Sequence, residues 1–139
     1  MLSRRLERQQ EDQQLSPITD AHGLLLMQRA VETVVVEESV GRYCVALAAE
    51  SRSHPHVLMG ASPRGALALM LTARAFAVVL GRDYVIPEDV KAVAQAVLAH
   101  RITVKPELWM SDVTGASVVD GVLAQAPTPS PLEPGHRGG

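Results

Sequence analysis

The segment "PEDVKAVAQAVLAHR", residues 87–101, constrains the fold more than any other part of the chain. Its apolar residues recur at i, i+3, i+4, i+7 and i+8, the spacing of one helix face: Val90, Val93, Ala94, Val97 and Leu98. Pro87 suits the first helical position, where no amide hydrogen is needed, and Glu88 and Asp89 complement the positive end of the helix dipole. The segment therefore predicts a strongly amphipathic helix.

Three more helices are predicted ahead of it. The first follows Asp20, a residue type favoured at N-caps, and the second runs from about residue 37 to residue 53. The third begins with Ser62 as its cap and Pro63 at its first position, and it stops at Gly81. Their predicted inward faces are Leu24, Met27, Val31 and Val34 in the first, Val40, Cys44, Leu47 and Ala48 in the second, and Leu67, Met70, Leu71 and Val78 in the third.

A fifth helix is predicted from its cap at Thr114 to about Ala126, with an inward face of Val119, Val122 and Leu123. Hydrophobic residues make up 47% of the chain but aromatic residues only 3%, so the core is expected to consist of Ala, Val, Leu and Met. Ala and Leu are good helix formers. The predicted fold class is an all-α bundle of four to five helices, in which the segment "RITVKPEL" leaves open a minor β element near residues 102–105.

The charge and hydropathy of the chain exclude several classes of protein. The net charge of -2 indicates no non-specific nucleic-acid binder, and a helical nucleic-acid-binding module is disfavoured by the lack of a basic stripe. The N-terminal "MLSRRLERQQEDQQ" has no signal-peptide core, and no segment reaches the roughly 20 apolar residues that span a bilayer. We therefore expect no nucleic-acid partner, no membrane span and a cytoplasmic location.

The cysteine and the histidines do not indicate a metal site. Cys44 is the single cysteine, so it cannot form an internal disulfide, and its place on an apolar helix stripe predicts a core residue. The five histidines have no Cys or carboxylate partner at the spacing of a zinc framework. The sequence predicts no bound metal.

An arginine at a helix start is the candidate functional feature. In "GASPR", Arg64 falls in the first helical turn, where the partial positive charge of the helix disfavours a cation. That cost disappears if an anion binds there, because the first-turn amides, the dipole and the guanidinium all favour the same phosphate. Two other interpretations stay open: Arg64 is a solvated surface residue, or it pairs with Glu88 or Asp89.

The motifs around this arginine are specific as a set. The stretch "GASPRGALALMLTARAFAVVLGRDYVIPEDVKAVAQAVLAHRI" closely resembles the C-terminal lid of the MoxR family of AAA+ ATPases. The upstream "LLLMQRAVETVVVEESVGRYCVALAAESRSHP" resembles the family's segment between core and lid. The resemblance covers roughly residues 2–126.

The resemblance implies a function. In that family the lid is a helical bundle that closes over ATP held by an α/β core, and the arginine of "GASPR" is the sensor 2 residue that reaches the γ-phosphate. It corresponds to Arg64, with Pro63 and Ser62 beside the ATP phosphates and Mg²⁺ held by the core. Partners implied in the same way are the ATPase core in cis or in trans, the neighbours in an AAA+ ring, and a protein with a von Willebrand A-type domain, in a chaperone-like remodelling role.

The sequence departs from a whole ATPase of that family. It contains no G-x-x-x-x-G-K-[ST] loop, no strand ending in paired acids and no sensor 1 residue. We therefore expect residues 1–19 to be a polar lead-in from an absent core, residues 20–126 the lid, and residues 127–139 a disordered Pro- and Gly-rich tail. Such a chain is predicted to be inactive alone. The alternative is a non-enzymatic adaptor that docks on an ATPase or its client.

Overall fold

Five helices and a two-stranded sheet make up the fold in the computed structural model, which describes residues 16–130. The helices are α1 (Ala21–Thr33), α2 (Glu38–Ser53), α3 (Pro63–Val79), α4 (Pro87–Leu98) and α5 (Gly115–Gln125), and the strands are β1 (Val57–Met59) and β2 (Thr103–Val104). Short 3-10 turns follow α4 at Ala99–Arg101 and precede α5 at Pro106–Leu108. The predicted helical bundle is confirmed, and the predictions for residues 1–15 and 131–139 lie outside the described residues. None of the helices in the described part is long and apolar enough to cross a membrane.

Helix α4 lies at the centre of the bundle, because it packs against α2, α3 and α5. All five residues of its predicted inward face are buried, and so are the four predicted for α2. In α5, Val119 and Val122 are buried and Leu123 is half-buried, and Val118 is buried in addition. Strong helical spacing therefore predicted these three faces correctly.

The inward face predicted for α3 is correct for Met70 and Val78, which pack against the core, and wrong for Leu67 and Leu71. Leu67 and Leu71 are exposed, and Met70 and Val78 are only half-buried. The buried residues are mostly small: Gly65, Ala66, Leu69, Ala73 and Ala77. Small side chains let α3 approach its neighbours closely. Leu67 and Leu71, which contribute strongly to the hydropathy pattern, therefore lie on the outer side of the helix.

The prediction for α1 is correct at its start and wrong along its length. The Asp20 carboxylate accepts a hydrogen bond from the Gly23 amide at 2.7 Å, so Asp20 is the N-cap. None of the residues of α1 is buried, and both Leu24 and Met27 are more than half exposed. The buried Val34 follows the helix. Within residues 16–130, the apolar face of α1 is therefore largely uncovered.

The predicted β element is confirmed near residue 103, and its partner lies in the segment after α2. Strands β1 and β2 pair antiparallel, with Val57 opposite Val104 and Met59 opposite Thr103. This pairing brings the segment after α4 beside the segment that leads into α3. The sheet therefore helps to place the first turn of α3.

Candidate functional site

The segment before α3 is fixed to the C-terminal end of α2. The Ser51 hydroxyl accepts a hydrogen bond from the Ala61 amide at 2.9 Å and donates one to the Ala48 carbonyl at 2.8 Å. The Arg52 guanidinium donates to the Ala61 carbonyl at 2.8 Å. Ser51 is 1% exposed and Ala61 is fully buried, so the contact is shielded from water.

Close packing at Gly60 reinforces this attachment. A Cβ atom at Gly60 would lie 2.6 Å from the backbone nitrogen and Cα of Arg52, a distance that real Cβ atoms do not adopt. The neighbouring atoms belong to backbone and cannot rotate away. Only glycine therefore allows the chain to pass this close to α2.

Helix α3 begins where the sequence predicts, but without the predicted side-chain bond. Ser62 is the N-cap residue, in extended conformation, and Pro63 occupies the first helical position. The Ser62 side chain makes no cap hydrogen bond, and its carbonyl accepts from the Gly65 amide at 2.7 Å. Ser62, Pro63 and Arg64 are all exposed, so this helix end faces solvent.

The N-terminus of α3 carries positive charge that the described residues do not balance. Its first turn contains no acidic residue. Within residues 16–130, Arg64 forms neither an ion pair nor a side-chain hydrogen bond; the ion pairs there are Arg42–Glu38, Arg74–Glu32 and Arg82–Asp89. The alternative that Arg64 pairs with Glu88 or Asp89 is therefore wrong for the described residues: Arg64 forms an ion pair with neither, and Asp89 binds Arg82.

The N-terminus of α4 is neutralised from inside the protein. Asp89 is 2% exposed, accepts from the Ile86 amide at 2.9 Å and accepts from both terminal nitrogens of Arg82. Burial raises the pKa of Asp89, but the hydrogen bonds from Arg82 and Ile86 and the Arg82 charge lower it more, so the net pKa lies below the ordinary value of 3.8. The carboxylate therefore stays ionised beside the helix start.

A second arginine, Arg101, borders the first turn of α3, although the sequence patterns assigned it no role. A Cβ atom at Gly65 would lie 3.5 Å from Cδ2 of Leu98 and 3.7 Å from Cδ of Arg101. The Arg101 Nε donates to the Val97 carbonyl at 3.0 Å, as expected of a cation that caps the end of α4. Its charge adds to the positive potential near Arg64. The signal in the sequence was its place near the end of the stretch that resembles the MoxR lid.

The arrangement can bind an anion but offers no groups for covalent chemistry. Among the described residues, no three His, Cys, Asp or Glu side chains lie close enough to hold a metal ion. Cys44 is 1% exposed, and burial raises the pKa of its thiol to about 11, so the nucleophilic thiolate is suppressed. The site is therefore an exposed helix N-terminus whose guanidinium has no ion-pair partner among residues 16–130.

Comparison with known families identifies the fold. The family model described as "AAA lid domain" matches residues 49–122, which is more than half of the chain. The chain belongs to the AAA lid domain family. The matched residues include the end of α2, both strands, the GASPR segment and most of α5.

Individual relatives include a protein named MoxR1. It is 34% identical over 115 residues to the uncharacterized protein YeaC of Bacillus subtilis, covering 83% of this chain and 36% of YeaC. It is 40% identical over 73 residues to chaperone MoxR1 of Mycobacterium tuberculosis, covering 52% of this chain and 19% of MoxR1. The predicted MoxR resemblance is therefore confirmed.

A solved structure supports the same assignment. The crystal structure of a candidate ATPase from Cytophaga hutchinsonii superposes with a TM-score of 0.83 at 27% identity, covering 93% of the lid chain and 42% of that protein. The lid chain thus spans less than half the length of the relatives it matches.

Proposed function

We propose that this lid works with the α/β nucleotide-binding core of an AAA+ ATPase, and that Arg64 is its sensor 2 residue. The observation that carries the proposal is the exposed guanidinium at a helix N-terminus with no acidic residue in its first turn. A cation is unfavourable there unless an anion is supplied from outside. The γ-phosphate of ATP held by the core is such an anion.

The local geometry suits a phosphate. The N-terminus of α3 contributes a partial charge of roughly +0.5, and the planar guanidinium can bind two phosphate oxygens at once. Ser62 and Pro63 flank the phosphate without adding negative charge. When the terminal phosphate leaves, Arg64 loses its partner, so the position of the lid follows the state of the nucleotide. Mg²⁺ would be held by the core, because the described residues contain no ligand cluster for it.

The surface around Arg64 supports docking of a core. Residues 64, 67 and 71 share one face of α3 by helical spacing, so the exposed Leu67 and Leu71 continue from Arg64 along the helix. A groove between this face and α1 is lined by Leu25, Val31 and Leu71, among others. An ATPase core that presents a phosphate to Arg64 would cover these apolar side chains. The proposal extends to ring neighbours, a von Willebrand A-type partner and a chaperone-like role. The last of these agrees with the name of the similar chaperone MoxR1.

The sensor role is tested in a chimera. Residues 16–130 would replace the matching lid of the Cytophaga hutchinsonii protein, and ATP hydrolysis would be measured against the chimera with the unaltered lid. Arg64→Ala is expected to lower kcat about 100-fold, by analogy with the loss of one preorganised donor to a transition state. The matched control is Arg42→Ala, which removes another exposed arginine, paired with Glu38 at 2.6 Å on α2. An unchanged kcat in Arg64→Ala would contradict the proposed sensor 2 function of Arg64.

The need for a core is tested with the 139-residue chain itself. Calorimetry with ATP is expected to give no binding at submillimolar Kd, because phosphoryl binding needs the metal and the amide cradle of a core. A submillimolar Kd would contradict this. An immunoblot of source cells distinguishes a core in cis from one in trans: a band well above 14.9 kDa supports the first, and a band at 14.9 kDa supports the second.

A second candidate function is a non-enzymatic adaptor, and one observation favours it. At the sheet end of the lid, Leu58, Met59, Trp109 and Met110 are all more than 60% exposed, and the Trp109 indole donates to the Val104 carbonyl at 3.2 Å. Exposed apolar side chains of this size are typical of contact surfaces. An adaptor would bind its partner ATPase through such residues, and Trp109→Ala would abolish co-purification while Arg64→Ala would not.

A further inference from the structure

Two consecutive residues of α2 fix two consecutive peptide groups ahead of α3. Ser51 binds the amide of Ala61, and Arg52 binds its carbonyl, so both peptide planes that meet at this residue are held. A single bond would leave one plane free to rotate. The two bonds together, with the backbone contact at Gly60, determine the backbone angles of Ala61.

Little freedom remains between Ala61 and Arg64. Ser62 is extended, the pyrrolidine ring of Pro63 restricts its φ angle, and the Gly65 amide closes the turn onto the Ser62 carbonyl at 2.7 Å. The Cβ of Ala61 also lies 3.1 Å from the position a Cβ would take at Gly65. A shift at Ala61 is therefore passed on to the first turn of α3 and to Arg64.

A purely structural interpretation competes with a functional one. Ser51 is one of two buried polar residues in the described part of the chain, and its bonds also stabilise the bundle. However, Ser51 and Arg52 each make one bond to the segment that carries Arg64, and Arg52 is an otherwise exposed side chain. Transition-state contacts are sensitive to displacements of about 1 Å, so such anchoring has a direct effect on rate.

We infer that Ser51 and Arg52 are positioning residues that act through Arg64 by fixing Ala61. This inference rests on the proposed sensor function of Arg64. Neither residue contacts the nucleotide in this scheme; each sets the direction from which the guanidinium approaches the γ-phosphate.

The anchoring is tested first in the 139-residue chain by amide hydrogen exchange. Ser51→Ala is expected to accelerate exchange of the Ala61 amide about tenfold relative to wild type, while amides of α5 keep their rates. Thr114→Ala is the matched control, because it removes a comparable bond, from the Ser117 amide at 3.1 Å, at the start of α5. It should accelerate exchange in α5 alone. An unchanged rate at Ala61 in Ser51→Ala would overturn the inference.

The action through Arg64 is tested by a double-mutant cycle in the ATPase chimera. Arg52→Ala and Ser51→Ala are each expected to lower kcat about tenfold with little change in KM. Arg52→Lys is expected to lower kcat less than Arg52→Ala does. In the Arg64→Ala background the same changes should cause no further loss. Full additivity with Arg64→Ala would overturn the inference, as would an equal loss in Thr114→Ala.

The two proposals fail separately. If Arg64→Ala hydrolyses ATP normally, the sensor function is wrong, whatever the exchange rate at Ala61. If Arg64→Ala is impaired but Arg52→Ala and Ser51→Ala are not, Arg64 keeps its function and the positioning inference is wrong.

Discussion

The N-termini of α3 and α4 start from the same local chemistry and end in opposite electrostatic states. Both helices have a proline at their first position, and in neither does the preceding residue make a side-chain cap bond. At α4 the buried Asp89 supplies the negative charge and is held by Arg82. At α3 the first turn contains Arg64, which is exposed, and no acid.

The difference separates a helix start whose charge is balanced within the fold from one whose charge the described residues do not balance. An acidic residue at a helix N-terminus contributes about 0.3–1 kcal/mol, and α3 lacks that contribution. Residues 16–130 thus supply an anion at the start of α4 and none at the start of α3. An external phosphate at α3 would complete the same pattern that Asp89 completes at α4.

The largest expected effect comes from Asp89→Ala. Arg82 would be left four-fifths buried without its carboxylate, since its side chain is 21% exposed. Removing one partner of a buried pair costs about 3 kcal/mol of unfolding free energy. Urea denaturation of the 139-residue chain would measure it. The control is Glu38→Ala, which breaks the exposed pair with Arg42 and should cost about 0.5 kcal/mol or less. Equal losses in the two variants would show that the α4 start is not specially stabilised.

The pH dependence of stability should follow the same carboxylate. The pKa of Asp89 is lower in the folded protein than its ordinary value of 3.8, so its stabilising effect is fully present above about pH 4. That effect is lost as the pH falls through the lower pKa of the folded state, where the unfolded chain already binds the proton. Unfolding titrations from pH 6 downward should therefore show a steeper loss in wild type than in Asp89→Asn. Parallel curves would contradict this account.

The smallest expected effect on stability comes from giving the first turn of α3 an acidic residue, as the first turn of α4 has. Arg64→Glu places an acid in the first turn of α3 and should raise the unfolding free energy of the isolated chain by about 0.5 kcal/mol at low salt. Arg64→Gln, which only removes the cation, should give a smaller gain. Both gains should shrink in high salt because the residue is exposed. In the ATPase chimera Arg64→Glu should abolish hydrolysis. A destabilised Arg64→Glu lid would mean that the cation is balanced within the chain.

The sequence was informative where the structural signal is local. The start of α4 at Pro87 and its five-residue buried face follow from residue spacing within that one helix. The place of Arg64 in the first turn of α3, directly after Ser62 and Pro63, follows in the same way. The predicted inward face of α3 was wrong at its leucines because hydropathy gives weight to large side chains. The packing of this helix depends instead on the close approach of Gly65, Ala73 and other small residues.

The contacts that define the site could not be predicted in this way. The bonds from Ser51 and Arg52 to Ala61 join residues ten and nine positions apart across β1. The Arg82–Asp89 pair crosses a turn from the end of one helix to the start of the next. Each depends on how helices pack together, which periodicity within a helix does not encode.

Helix α1 has a consequence for how the lid unfolds. None of its residues is buried. Beyond its contact with α3, it is held by the pair between the exposed Glu32 and the largely buried Arg74, and by the backbone bonds that join the following Val35 to Asp83 and Val85. A helix with so little buried surface opens locally at a small fraction of the global unfolding free energy. We therefore expect α1 to be the first cooperative unit to open on heating, unless something beyond residues 16–130 packs against its leucines.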